Sequence, residues 1–357
     1  MSRGRNGFDS VVLGDGTVLA VGDDVECLPG PAEPGSETTE RFDPLTGTWS
    51  ASGSLNKPRK SFATVPFEDG SVMVLGGINA DDQPFSSTKI FDPGSGRWSD
   101  GPLMERAIGG PLAERLGDGR ILAFDARYVG ETATETRVVS LAPGADAWRP
   151  EESLDFFVSR VVALTDGSLI AVGSTFETPD TLYRLDPRTG DWDAIASPTE
   201  IGQGEDVGRF GALIPLEGGG MLALDVVEPG EEQMVSTHVR RWDPGADRWA
   251  DVGPLAEARE AALTAALADG RVFVAGGLGS VDGRRTTFLT STEIFDPSTD
   301  SWSAGPDLLE PRQAGHARVL ADGSVLIFGG DADTNDSGDV PWCPAPLTST
   351  ERVYIAA

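Results

Sequence analysis

The chain has 357 residues, of which 57 are acidic and 28 are basic, so its formal net charge is −29. A surface this acidic repels the phosphates of nucleic acids and anionic lipid headgroups, which argues against both as partners. No apolar stretch approaches the ~20 residues that a membrane-spanning helix requires, so membrane insertion is not expected.

A short phrase recurs along the chain at intervals of 48 to 54 residues. It consists of Asp-Gly followed by an apolar run, and Gly218-Gly219 fills the one gap in the series. Asp-Gly accepts the positive φ angles of a tight hairpin turn, and a short apolar run is typical of a buried strand. A repeat of this length with several short strands indicates a β-propeller. The copies are Asp15-Gly16, Asp69-Gly70, Asp118-Gly119, Asp166-Gly167, Asp269-Gly270 and Asp322-Gly323.

The second repeat shows most clearly how one copy is built. Residues 61–67, 71–77 and 87–91 are predicted strands, and residues 97–99 open a fourth. Four strands joined by tight turns form one four-stranded antiparallel blade. The second strand ends at a pair of glycines, which permit close approach of another backbone, and the Trp that recurs in the fourth strand is expected to pack between blades.

The repeats together predict an all-β chain that forms one seven-bladed β-propeller domain over residues 1–357. The chain begins at a first strand, residues 8–13, and ends at a third strand, residues 351–355, so the last blade is expected to have three strands. A monomer is expected, because no heptads or amphipathic helices are visible. The repeats span approximately residues 5–54, 55–105, 106–153, 154–204, 205–255, 256–308 and 309–357.

The repeat resembles that of the Kelch family over residues 5–357. The shared features are an Arg at the start of the first strand, the Asp-Gly turn, the Gly-Gly pair, the Phe-Asp-Pro phrase and the spaced Trp. Several repeats depart from the pattern: residues 123–125 and 224–226 read Ala-Phe-Asp and Leu-Asp-Val where the second, sixth and seventh repeats have Gly-Gly. The resemblance implies a Kelch-type propeller that recognises a protein or peptide.

Arginines at one repeated position suggest an anion-binding site. Four of them lie ten residues before an Asp-Gly turn, and two more lie close to that frame. Equivalent positions in a propeller surround the mouth of its channel, on the face that carries the long loops, so these side chains are predicted to form a ring. The predicted ligand-binding residues are Arg5, Arg59, Arg106, Arg209, Arg259 and Arg312, with Trp342 as an aromatic platform.

The ring is predicted to bind a protein, a peptide or another anionic ligand, because guanidinium groups hold carboxylates with paired hydrogen bonds. In Kelch proteins that bind acidic peptides, arginines entering the blades play this part, so the resemblance supports the prediction. The alternative left open is that each Arg pairs with a nearby carboxylate, such as Glu257 or Glu310.

An enzyme that acts on acidic sugars, of the mutarotase or lyase type, is the alternative function. It would hold the substrate carboxylate with the arginines and use Asp9 and His316, or a loop Glu, as acid–base groups. These two residues stand at equivalent first-strand positions, six residues before their turns. Copper-radical oxidase chemistry is rejected, because the chain has only two His and three Tyr, with no converging set. Non-catalytic binding is favoured, since no nucleophile, metal triad or phosphate loop converges.

The loop after residue 330 spaces oxygen ligands as a calcium site does. The usual Gly at its sixth position is Asp336, and no Glu stands at the twelfth, so a solvated acidic loop is the alternative to Ca²⁺. The candidate ligands at positions 1, 3, 5 and 9 are Asp331, Asp333, Asn335 and Asp339.

The two cysteines are predicted to form a disulfide. Cys27 and Cys343 lie in corresponding loops of the first and last repeats, which are neighbours in a closed ring. Two free thiols are the alternative. A bridge would imply an extracytoplasmic or secreted protein from which a leader had been removed, and without it the cytoplasm is expected.

Overall fold

The structure of the chain is a computed structural model. Its described residues fall into two compact units, residues 7–195 and residues 1–6 with 196–357, and each is taken by itself. Strands and turns make up nearly all of this part of the chain, and a single 3-10 turn at Glu217–Gly219 is its one helical element. None of its helices is long and apolar enough to cross a membrane. The structure describes residues 1–5, 7–22, 36–129, 133–178, 180–197, 210–227, 236–281, 285–332 and 345–356.

The first unit contains four antiparallel sheets of four strands, and every strand pairs with its neighbour in sequence. Each sheet therefore follows one predicted repeat. The first two sheets are β1 (Asp9–Val12), β2 (Val18–Val21), β3 (Ser36–Asp43) and β4 (Thr48–Arg59), then β5 (Ala63–Pro66), β6 (Val72–Leu75), β7 (Thr88–Asp92) and β8 (Arg97–Asp100). The next two are β9 (Leu112–Arg115), β10 (Ile121–Val129), β11 (Ala133–Leu141) and β12 (Arg149–Pro150), then β13 (Phe157–Ala163), β14 (Leu169–Ser174), β15 (Thr181–Leu185) and β16 (Trp192–Ala194).

The second unit contains the sheets of the last three repeats. Its strands are β17 (Phe210–Pro215), β18 (Met221–Val227), β19 (Ser236–Asp243), β20 (Arg248–Asp251), β21 (Arg259–Glu260), β22 (Leu263–Ala266), β23 (Val272–Ala275), β24 (Leu278–Val281), β25 (Arg285–Phe288), β26 (Thr292–Asp296), β27 (Ser301–Ala304), β28 (His316–Val319), β29 (Val325–Phe328), β30 (Asp331–Ala332), β31 (Ala345–Pro346) and β32 (Thr350–Val353). The three main sheets run β17-β18-β19-β20, β22-β23-β26-β27 and β28-β29-β32, and β21-β24-β25 and β30-β31 form two small ones. Within the described residues the last repeat thus has a three-stranded sheet, as predicted.

The core of each unit lies between neighbouring sheets. The second strand of a repeat is buried along its whole length in β2, β6, β23 and β29, because both of its faces are covered. Leu19 of β2 shares one apolar cluster with Val72 and Phe91 of the next repeat. Phe273 of β23 shares another with Ile327 of β29. Each such side chain contributes about 1.5–3 kcal/mol to stability relative to an exposed one.

Glycine ends the second strand where the backbone of the next repeat comes close. Gly76 and Gly276 have φ angles of 62° and 59°, in the left-handed region that favours glycine. A Cβ atom on Gly76 would lie 2.6 Å from the carbonyl oxygen of Ile108, and one on Gly276 would lie 2.5 Å from that of Arg312. The structure shows here the close approach that the Gly-Gly pairs predict.

Hydrogen bonds to backbone carbonyls join one repeat to another. The Trp of the fourth strand reaches the preceding repeat: Trp148 donates Nε1–H to the carbonyl of Pro102 at 3.2 Å, and Trp249 donates to that of Ala196 at 2.7 Å. On the side of the Asp-Gly turns, guanidinium groups reach the Asp-Pro turn of the next repeat. These bonds run from Arg41 to Pro93 O at 3.0 Å, from Arg120 to Pro187 O at 3.2 Å and from Arg241 to Pro297 O at 3.0 Å.

Candidate functional site

The four arginines that stand ten residues before an Asp-Gly turn are buried. Arg5, Arg59 and Arg312 have no exposed surface, and Arg259 is 2% exposed. Three of them make the same hydrogen bond, from Nη1 to the carbonyl of the glycine 17 residues later, which ends the second strand. These bonds join Arg59 to Gly76 at 2.9 Å, Arg259 to Gly276 at 3.0 Å and Arg312 to Gly329 at 3.0 Å.

Carboxylates of the same repeat neutralise two of these guanidinium groups. Nη2 of Arg259 lies 2.9 Å from Oε1 of buried Glu293 and 3.7 Å from Glu257. Nη2 of Arg312 lies 3.5 Å from both Glu310 and Glu351. The sequence suggested Glu257 and Glu310 as partners but not Glu293 and Glu351. Each of the latter two is the single Glu of its strand, β26 or β32, which was the available clue.

Arg59 has a different environment, because Lys89 stands in β7 where Glu293 stands in β26. Its guanidinium carbon lies 4.6 Å from the centre of the Phe85 ring, a cation–π contact. It also donates Nη2 to Oγ of Ser87 at 3.2 Å. Burial lowers the pKa of Arg59 to about 10.

Burial sets these arginines apart from Arg106, which is exposed. A guanidinium that is fully buried and hydrogen-bonded to its own repeat has no free face for a ligand. The geometry therefore supports a structural role for Arg59, Arg259 and Arg312, and the anion-binding ring stays a prediction. Arg209 and Trp342 lie outside the described residues.

Asp9 faces a second carboxyl group in the first unit. Asp9 opens β1, and its Oδ1 accepts a hydrogen bond from the backbone N–H of Ser10 at 2.7 Å. Burial, and to a lesser extent repulsion from Asp9, raises the pKa of Glu114 in β9 to about 7. Glu114 is not among the residues that the sequence pattern singles out. The available clue is its position: it stands four residues before its Asp-Gly turn, where two other repeats have Val11 and Val65.

His316 opens β28 in the second unit. Its Nδ1 lies 2.9 Å from Nη2 of Arg318, and its ring stacks on that of Phe328 with 5.9 Å between centres. His238 lies in β19, opposite Asp225. The Asp9–His316 acid–base pair stays a prediction.

The calcium and disulfide predictions fall mainly outside the described residues, which leave out Asp333, Asn335, Asp339, Cys27 and Cys343. Asp331 belongs to β30, is buried, and exchanges two backbone hydrogen bonds with Gln313, at 3.0 and 3.1 Å. No cluster of three or more His, Cys, Asp or Glu side chains fit to hold a metal ion occurs in the part of the chain that the structure describes.

Exposed aromatic side chains meet where the third and fourth repeats carry their loops. Tyr128, at the end of β10, is 65% exposed, and its ring stacks on that of Phe157 with 5.0 Å between centres. Phe176 is 52% exposed and lies 5.6 Å from Tyr128. We call Tyr128, Phe157 and Phe176 the aromatic cluster. Phe156, the residue before Phe157, is only 5% exposed, and its ring stacks on that of Tyr183 with 4.0 Å between centres.

Comparison with known proteins agrees with the repeat pattern. The profile of the Kelch motif matches residues 261–309, in the sixth repeat. Kelch-like protein terF of Aspergillus terreus is 30% identical over 122 residues, 34% of this chain and 26% of that protein. Kelch-like protein 35 of Mus musculus is 28% identical over 164 residues, 45% of this chain and 27% of that protein. The Kelch-repeat resemblance is confirmed.

A third relative, Kelch repeat and BTB domain-containing protein 12 of Danio rerio, is 25% identical over 198 residues, 51% of this chain and 31% of that protein. The matched part therefore spans less than a third of the length of each of these Kelch relatives. A solved structure of a fungal alcohol oxidase of the AA5 family, in complex with copper, is similar with a TM-score of 0.65 at 16% identity. The match covers 93% of this chain and 72% of that one. Likeness at this identity shows the fold alone, and the all-β propeller fold is confirmed.

Replacing a buried Kelch-repeat arginine is expected to destabilise the chain. Arg259→Ala leaves the buried Glu293 without its cationic partner and removes the donor to Gly276, which should lower the free energy of unfolding by about 3–5 kcal/mol. Urea unfolding measures this, with Arg248→Ala as the control because Arg248 is exposed. The control is expected to change stability by no more than about 0.5 kcal/mol. Equal stability of the two variants would contradict the structural role.

Stability should depend on the ionisation of Glu114. The pKa of the folded carboxyl is raised from 4.5 to about 7, so folding favours the protonated acid. That contribution is present below about pH 4.5 and is lost as the pH rises through about 7. Glu114→Gln is therefore expected to stabilise the chain at pH 8 by up to about 3 kcal/mol, with a gain that shrinks toward pH 4.5.

Thermal unfolding between pH 4.5 and 8 tests this, with Glu152→Gln as the control because Glu152 is exposed in the same repeat. Tm curves of the two variants that run parallel to that of the wild type would show that Glu114 does not titrate as described.

Proposed function

We propose that this chain is a non-catalytic binding module that recognises a protein or peptide through the aromatic cluster. Kelch-repeat relatives suggest a protein-interaction module, and the single observation that carries the narrower proposal is the meeting of Tyr128, Phe157 and Phe176 at the surface. Aromatic side chains of this kind are enriched in the buried centres of protein interfaces and provide much of their binding energy.

The cluster differs from the other exposed apolar side chains among the described residues. Leu45, Leu103, Leu309 and Tyr354 belong to the first, second and last repeats, and single exposed apolar residues need no functional explanation. The ring centres of Tyr128 and Phe176, in contrast, lie 5.6 Å apart, and Val129, which follows Tyr128 in sequence, is 46% exposed.

Regular backbone pairing holds the cluster in place. Tyr128 lies in β10, which pairs with β11 in unbroken register from Ile121 to Val129. The chain that leads to Phe157 is fixed by Thr136, whose Oγ1 donates to the carbonyl of Phe156 at 2.7 Å and accepts from the backbone N–H of Val158 at 3.0 Å. A rigid set of anchors loses little conformational entropy on binding, which favours affinity.

Recognition of an anionic ligand by the arginine ring is a narrower form of this proposal. Of the ring members within the described residues, Arg106 alone is exposed, so support for the full ring is small.

An enzyme that acts on acidic sugars is the second candidate. The pKa of about 7 at Glu114, beside Asp9, favours it, since an acid–base group works best near the ambient pH. Release of product from uronic or sialic acid substrates, lost in Glu114→Gln, would support the enzyme.

Selection of peptides from a random library displayed on phage tests the binding proposal. Peptides enriched on the wild-type chain are expected to bind Tyr128→Ala at least about tenfold more weakly, because truncation of an interface anchor costs about 2 kcal/mol or more. Tyr354→Ala is the matched control, since Tyr354 is 66% exposed against 65% for Tyr128. Enriched peptides that bind both variants equally, or no enrichment at all, would contradict the proposal.

The disulfide, and with it an extracytoplasmic location, stays a proposal that one measurement decides. Intact mass of the non-reduced chain is expected to be lower by two hydrogens than that of the reduced chain if Cys27 and Cys343 are bridged. Two thiols that react with iodoacetamide before reduction would show the alternative.

The calcium site stays a proposal too. A rise in Tm with added Ca²⁺ that Asp333→Asn abolishes would support it.

A further inference from the structure

A cavity of about 230 Å³ lies against the third repeat, within the first unit. Its floor is apolar and is made by Met104, Ile108 and Trp148. Met104 and Ile108 are buried, and Trp148 is held by the hydrogen bond from its Nε1–H to Pro102. The space is smaller than the ~300–1,000 Å³ of a drug-sized ligand site, which suits a group about the size of one amino-acid residue.

Two arginines at this cavity have no carboxylate partner. Among the described residues, no acidic oxygen lies within 4.0 Å of a guanidinium nitrogen of Arg106 or Arg149, and both side chains are exposed. The exposed Arg97 and Arg248 also lack an acidic oxygen within that distance among the described residues, so what distinguishes Arg106 and Arg149 is that both line one cavity. The third arginine of the cavity, Arg137, lies 4.0 Å from Asp125 and 4.0 Å from Glu135.

The cavity lies where the third repeat departs from the Kelch pattern. Ile108 stands ten residues before the Asp-Gly turn, where the first, second, sixth and seventh repeats have a buried Arg, and Asp125 stands where those four repeats have a glycine. The outer strand β12 has only two residues, whereas β8 has four. Ile108 and Asp125 both line the cavity, so these two departures and the short β12 coincide with it.

The charged groups of the cavity have both signs. Glu105 and Glu151 are exposed beside Arg106 and Arg149, and burial raises the pKa of Asp125 although nearby arginines oppose the shift. A ligand that satisfies this arrangement carries a carboxylate for the guanidinium groups and an N–H donor for the acidic side chains. It also carries an apolar group for the floor.

We propose that this cavity binds the carboxylate end of an apolar amino acid, either free or as the last residue of a peptide. Arg106 and Arg149 hold the carboxylate, the apolar side chain lies on Met104, Ile108 and Trp148, and the acidic side chains accept from the ligand N–H. The site does not include the aromatic cluster, so either proposal can fail without the other.

Titration calorimetry with four probes tests the proposal: leucine, N-acetyl-leucine, Gly-Gly-Leu and leucinamide. The three carboxylate probes share the predicted contacts, and leucinamide lacks the carboxylate. Binding of N-acetyl-leucine and Gly-Gly-Leu but not of leucine indicates a peptide end, and tighter binding of leucine indicates the free amino acid. Acetate, a fifth ligand that lacks the apolar group, is expected to bind more weakly than the three carboxylate probes.

The double variant Arg106→Gln/Arg149→Gln is expected to bind the carboxylate probes at least about tenfold more weakly, because it loses charge-assisted hydrogen bonds to the carboxylate. The matched control is Arg97→Gln/Arg248→Gln, which removes two other exposed arginines from outer strands and should leave binding unchanged. Thermal unfolding of both double variants checks that they fold. No binding of any probe, equal binding of leucinamide, or equal loss in the two variants would overturn the proposal.

Discussion

The hydrogen bond from a buried guanidinium to the carbonyl that ends the second strand organises the regular repeats. A glycine in the left-handed conformation turns the chain at that point and leaves its carbonyl inside the protein, where an unsatisfied acceptor would cost about 1–3 kcal/mol. Arg59, Arg259 and Arg312 each satisfy one such carbonyl. The buried positive charge of the arginine must be stabilised as well. Glu293 and Glu351 do so in two repeats, and the Phe85 ring does so in another.

This dependence explains why two changes occur together in the third repeat. In the third repeat Ile108 replaces the arginine and Asp125 replaces the glycine, and β10 continues beyond the position where regular second strands end. In the fourth repeat Phe156 takes the place of the arginine and stacks on Tyr183. Both candidate binding features, the aromatic cluster and the arginine-lined cavity, lie at these two repeats. A scaffold fixed by repeated interactions can vary where they are absent.

The sequence predicts the fold in some detail, because the turn phrases and the apolar strands depend on local chemistry. The four strands of the second repeat lie within the predicted ranges apart from one residue at the end of β7 and the extension of β8 to Asp100. The spacing of the arginines predicts their equivalence correctly. It does not give the direction of their side chains, which depends on the carbonyl of a glycine 17 residues away. Glu114 was missed because a strand with alternating burial is recognised in a sequence by its apolar residues. A single acidic residue in such a strand is assigned to the side that faces solvent.

The pairing of strands in sequence order has a consequence for how the chain folds. In the four sheets of the first unit every strand pairs with a strand that is adjacent in sequence, so the main sheet contacts close short loops. Short loops cost little closure entropy, and chains rich in local contacts fold faster than those that depend on distant pairings. Each repeat can therefore begin to form its own sheet as it leaves the ribosome, before the next repeat has been synthesised. The exposed apolar faces of such early sheets are then covered in turn as each neighbour arrives.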